Sequence, residues 1–159
     1  MKRSALPKRT APLRRGTPLR RTPFPNRGPA RRAQIAPAAG KKLVRLRPGL
    51  GGLCEVRSPW CQGRGTQFSH RWHQGQGGPW TASNGVRACG LGNAAGCHGW
   101  IHQRPVEAEK LGLIVRPGPG GKADTTLIPV KIHTVQYGYA WVFLDDKGGV
   151  VPDTTPRVP

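Results

Sequence analysis

Four cysteines limit this chain more than any hydrophobic pattern in it. Cys54 and Cys61 form one pair and Cys89 and Cys97 another, in a region where glycine and proline are frequent and large apolar residues few. A small core of this kind usually needs metals or disulfides as staples. Six residues separate the first pair and seven the second, wider than the two to four of common zinc knuckles. The segment ACGLGNAAGCHGWIH (88–102) then adds His98 and His102 beside the second pair.

Helix geometry sorts these ligands. From Cys97 onward the spacing suggests a helix, in which residues four apart share a face and neighbours diverge by about 100°. His98 and His102 can therefore share one ion, whereas Cys97 points elsewhere and completes a set with Cys54, Cys61 and Cys89. Four thiolates suit a closed, tetrahedral structural Zn²⁺. Two disulfides are the competing arrangement, disfavoured in a reducing compartment. A single zinc finger using His98, His102 and two cysteines is another, and it leaves two cysteines and His70 without a role.

Charge divides the chain. Of 26 Lys and Arg, 15 lie in residues 1–47, which hold no Asp or Glu, and the formal net charge of the 159 residues is +19. Such a block cannot bury enough apolar surface to offset its ordering entropy. Prolines at 7, 12, 18, 23, 25 and 29 also interrupt any helical face there, which argues against a transit peptide. Residues 1–47 therefore read as a disordered tail suited to a polyanion, with Arg14, Arg15, Arg20 and Arg21 in its Pro-Leu-Arg-Arg repeat as nucleic-acid contacts. No apolar run is long enough for a signal peptide or membrane span, so a cytoplasmic protein with no membrane partner is expected.

The remainder divides into residues 48–104 and an extension, 105–159. Short strands are expected in TQFSHRWH (66–73) and VRAC (86–89), followed by the helix from Cys97. A second short helix follows Pro105 and stops at Gly112. LIVRP, TLIPVKIH and YAWVFLDDKGG then read as strands of a small β extension that braces the rest or meets a partner. Trp72 and Trp100 are assigned to packing, and His133 to a surface or packed position.

Read together, FSHRWHQGQGG, ASNGVRAC and GCHGWIH resemble the HNH endonucleases, specifically the small phage-encoded kind found beside DNA-packaging genes. The resemblance covers residues 54–104 or so and takes in the cysteines, the Gly-Gly after the first histidine, and Trp100. It implies an α+β fold: a ββα-metal (His-Me finger) nuclease unit stapled by the four-cysteine zinc, with the basic tail before it and the β extension after it. It also implies phosphodiester hydrolysis of DNA, by nicking or double-strand cleavage. His70 would be the general base, and Asn84 would fix the loop and orient His70. His98 and His102 would hold a catalytic divalent cation, Mg²⁺, Mn²⁺, Ni²⁺ or Zn²⁺. A phage terminase large subunit is the implied partner.

The sequence departs from the family pattern at Ser69, where a further metal ligand is expected. A hydroxyl is a weaker ligand than imidazole or carboxylate. Ser69 with waters is the first expectation there and His73 the second. Arg71, beside the base, is placed to contact phosphate. The alternative function is a non-catalytic, zinc-stabilised nucleic-acid-binding protein whose HNH site has decayed.

Overall fold

The computed structural model describes residues 37–47 and 50–156. Arg14, Arg15, Arg20 and Arg21, with the rest of 1–36, lie outside the described residues.

The first element is a helix, α1 (Pro37–Leu46), inside the segment read from sequence as tail. Proline at the first helical position lacks only an N–H that would have no partner there. Gly40 and Val44, four residues apart, are its buried face, while Lys41, Lys42 and Arg45 stay exposed. Gly40 is required because α1 runs against the chain at Trp80: a Cβ at that position would stand 1.8 Å from the Trp80 carbonyl oxygen. Just past the helix, Arg47 is buried and bonds the Glu55 carboxylate at 2.9 Å and the Ala82 and Gly85 carbonyls at 2.6 and 3.0 Å. The basic residues from Lys41 to Arg47 thus belong to the fold, and the expected boundary at 47 moves to the start of α1.

A loop carrying Cys54 and Cys61 leads into the antiparallel hairpin of β1 (Gln67–His70) and β2 (Gly85–Ala88), registered with Ser69 opposite Val86 and His70 opposite Gly85. The loop pairs with the hairpin through Glu55 N–H to the Arg87 carbonyl at 2.8 Å. Two helices follow, α2 (Gly96–Gln103) and α3 (Pro105–Lys110). The chain leaves α3 as the sequence predicts. Gly112 takes φ +69°, its N–H bonds the Glu109 carbonyl, and the Leu113 N–H bonds the Ala108 carbonyl, both at 2.9 Å, which is a Schellman cap.

An antiparallel sheet completes the fold, with β3 (Val130–Thr134), β4 (Gly138–Leu144) and β5 (Val150–Pro152) in that order. LIVRP is not a strand. Leu113, Ile114 and Val115 are buried, but they pass under the hairpin, where Val115 N–H bonds the Arg71 carbonyl at 2.8 Å instead of a ladder partner. One apolar core joins Cys54, Val56, Val86, Cys89, Cys97 and Ile101 to Leu113, Val130, Ile132 and Leu144. The C-terminal sheet is therefore packed into the core that carries the cysteines. The architecture is α+β, and among the described residues no helix is long and apolar enough to cross a membrane.

Candidate metal centre and histidine cleft

The cysteines converge as the sequence requires. Cys54 comes from the loop before β1, Cys61 from its return, Cys89 from the end of β2 and Cys97 from the first turn of α2. Their four sulfurs lie within 4.8 Å of one another, with no disulfide among them. Backbone N–H groups point at these sulfurs: Ser58 at Cys97 (3.3 Å), Gln62 at Cys89 (3.1 Å), Gly63 at Cys61 (3.4 Å) and Cys97 at Cys89 (3.3 Å). Such donors stabilise sulfur in its anionic form. A hydrogen bond from Cys97 and backbone N–H donors lower the Cys54 pKa to about 5, against the effect of burial. That same hydrogen bond, with burial, pushes Cys97 up, and burial pushes Cys61 up. Thiols this close share their protons until a cation replaces them, and the donor set fits a structural Zn²⁺.

The adjacent pair Cys97 and His98 separates as the 100° step demands. Cys97 and Ile101 are wholly buried on one side of α2, while His98 and His102, half-buried, open on the other. The His98 and His102 rings are 5.1 Å apart, and the His73 ring is 5.1 Å from His102. These three line a cleft of about 330 Å³ together with His70, Trp80 and Asn93.

Ser69 is not in the cleft. Successive strand residues face opposite sides, so with His70 turned to the histidines Ser69 turns inward. It is 1% exposed, and its hydroxyl has no hydrogen-bond partner. On the cleft side the next imidazole is that of His73, which can face the cleft because β1 ends at His70 and the chain turns there, held by the Asn84 side chain at Trp72.

Asn84 does half of what the resemblance implies. Its side chain is buried, accepts from Trp72 N–H at 2.6 Å, and donates to the Trp72 and Pro79 carbonyls at 3.0 and 2.9 Å. It pins both ends of the loop that carries His73, yet no hydrogen bond joins it to His70. His70 is held by rings instead, edge-on to Trp80 at 4.2 Å and to Phe68 at 4.8 Å. Trp80 is the residue that sequence reasoning missed; its place in a glycine-rich loop gave no periodic signal.

Burial, then the charges of His73, His98 and Lys41, lower the His70 pKa to about 4. His98 falls to about 4 by burial and by His102 and His73, and His102 is lowered by burial and His73. All three are neutral at pH 7, the state in which imidazole accepts a proton or a metal. His70 Nε2 and His98 Nδ1 are buried without a hydrogen-bond partner, so each has unused bonding capacity.

Arg71 is not a phosphate contact. It is wholly buried, and its guanidinium donates to the carbonyls of Gly112 (2.8 Å), Ser83 (3.1 Å), Thr125 (3.0 Å), Ile128 (2.6 Å) and Pro129 (3.3 Å). Burial pulls its pKa down to about 9, still charged at neutral pH. Trp72 is buried and Trp100 packs against the core, as assigned. No family model, curated protein or solved structure matches the chain.

Proposed function

We propose that this protein is a metal-dependent endonuclease of the HNH type, hydrolysing phosphodiester bonds in DNA on a ββα-metal unit formed by β1, β2 and α2. The observation that carries this reading is the cleft itself: four histidines from a hairpin, its loop and the following helix, with no acidic residue in the wall. Neutral imidazoles with no carboxylate beside them suit a divalent cation whose charge is left for a phosphate oxygen to meet.

In this reading His98, His102 and His73, with ring separations of 5.1 Å from His102 to each of the other two, would hold a divalent cation. When bound, that cation acts as a Lewis acid for the charge that develops on the leaving oxygen. His70, neutral and with its Nε2 unpartnered, takes the proton from the attacking water. Trp80 and Phe68 fix the plane of its ring, and Asn84 fixes the loop that presents His73. The four-cysteine zinc does no chemistry; it fixes the start of α2 and so the direction of His98 and His102. The family resemblance alone carries a partner, a phage terminase large subunit, and co-purification of the two proteins tests it.

Metal titration tests the ligand set. Calorimetry on the zinc-loaded chain with added Mn²⁺ or Ni²⁺ should show a second, exchangeable site. His73→Ala should weaken it about 10- to 100-fold, whereas Ser69→Ala leaves it unchanged. A chain that binds one zinc and nothing further is a zinc-stabilised binding module and not a hydrolase.

A further inference from the structure

A second cavity of about 330 Å³ opens between α1 and the outer side of β1, with Lys41, Arg45, Thr66, Phe68, Trp80 and Arg87 in its wall. Phe68 and Trp80 also wall the histidine cleft, so the two cavities meet at this aromatic pair. Lys41 and Arg45, one helical turn apart, project from the same exposed face of α1. The Lys41 Nζ lies 4.7 Å from the centre of the Trp80 ring, a cation–π contact at the junction. Among the described residues, neither cavity has an acidic residue in its wall.

We propose that this groove is a second binding subsite, taking the phosphodiester backbone of the DNA strand that flanks the bond held in the histidine cleft. The inference rests on the reading of that cleft as a phosphodiesterase site and adds where the rest of the strand runs. A groove with exposed cations from α1 and aromatic rings in its wall suits a backbone: ammonium and guanidinium groups meet phosphate oxygens, and sugar or base edges meet the rings. The position of α1 makes the subsite, and Gly40 lets α1 sit close enough to Trp80 to form it.

The test is equilibrium binding of a fluorescein-labelled DNA duplex by the full-length, zinc-loaded chain, followed by anisotropy from 0.05 to 0.3 M salt. Lys41→Gln/Arg45→Gln removes two exposed charges from the groove, and Lys110→Gln/Lys122→Gln removes two exposed charges outside it. The groove variant should bind roughly tenfold or more weakly at 0.15 M salt, with the slope of log K against log salt lower by about 2. The control pair should leave the slope unchanged. Equal slopes in all three proteins, an equal loss in both variants, or no DNA binding by the parent chain would each overturn the proposal. Cleavage is scored separately on the same proteins. A parent chain that binds through the groove but cuts no DNA with any metal removes the hydrolase reading and leaves the subsite; one that cuts DNA with unchanged binding in the groove variant does the reverse.

Discussion

The Arg71 guanidinium donates to the Gly112 carbonyl at 2.8 Å and so ties the residue after the candidate base to the cap of α3. Its other donors reach Ser83 in the loop before β2 and the 125–129 segment before β3. This side chain joins the end of β1 to the segments that lead into the C-terminal sheet, beside the bonds of Ser83 to Thr125 and Asp146. Arg71→Met should cost on the order of 3–5 kcal/mol, because several buried carbonyls lose a charged donor at once. Arg71→Lys should recover little of it, since a single ammonium cannot span the fork. Denaturant unfolding measures both. Unchanged stability, or weaker DNA binding by a folded Arg71→Lys protein, would restore Arg71 to the nucleic-acid surface.

Zinc removal should unfold the hairpin and α2 together. The cysteine sulfurs join the loop before β1 to the end of β2 and the start of α2, and structural zinc supplies folding free energy directly. Metal analysis should give one zinc per chain in the presence of a weak chelator. Cys54→Ser or Cys97→Ser should lose it, with a large fall in Tm. Retention of a full zinc by both serine variants would show that the ion sits elsewhere.

Asn84→Ala should cost about 2–4 kcal/mol, from three hydrogen bonds in a buried site. Asn84→Asp is the sharper variant: the carboxylate still accepts from Trp72 N–H but faces the Trp72 and Pro79 carbonyls with no proton to give. Asp should therefore rescue little. Hydrogen exchange across residues 72–79 should rise in both variants, and protection there equal to the parent would contradict the pinning role.

Acid should destabilise the protein through the histidine cleft. His70 and His98 titrate near 4 when folded and near 6.5 when unfolded. Between these values the unfolded chain binds protons that the folded chain does not, so their contribution is complete above about pH 6.5 and is lost as pH falls toward 4. His70→Gln/His98→Gln should lose less Tm over that window than the parent, the zinc term being common to both. Parallel Tm–pH curves would show that these histidines are solvated in the folded state.

Much of the site was legible because it depends on local geometry. The 100° step between Cys97 and His98 follows from helix pitch alone, and it assigned the two residues to separate sites. Pro105 and Gly112 bracketed α3 through backbone rules that act within a few residues. What failed depends on contacts distant in sequence. The apolar face of α1 is one turn, Gly40 and Val44, too short to stand out within a run of basic residues, and its partner, Trp80, is 40 positions away. Arg71 looked like a surface arginine because its five carbonyl acceptors come from three segments distant in sequence, at Ser83, at Gly112 and at 125–129. Ser69 is expected at the site from family position, and His73 comes second because it reaches the cleft only if the strand ends at His70; the strand does end there, and its alternation puts Ser69 in the core.

The central claim is that the histidine cleft cuts DNA. Supercoiled plasmid incubated with the zinc-loaded protein and Mg²⁺, Mn²⁺, Ni²⁺ or Zn²⁺ tests it most directly. Nicked or linear product should form with at least one of these ions. His70→Ala should slow it at least 100-fold, the lower range for loss of a general base, His73→Ala should raise the metal concentration required, and Ser69→Ala should cut as the parent does. Plasmid left intact with every ion, or cut equally well by His70→Ala, would contradict the account.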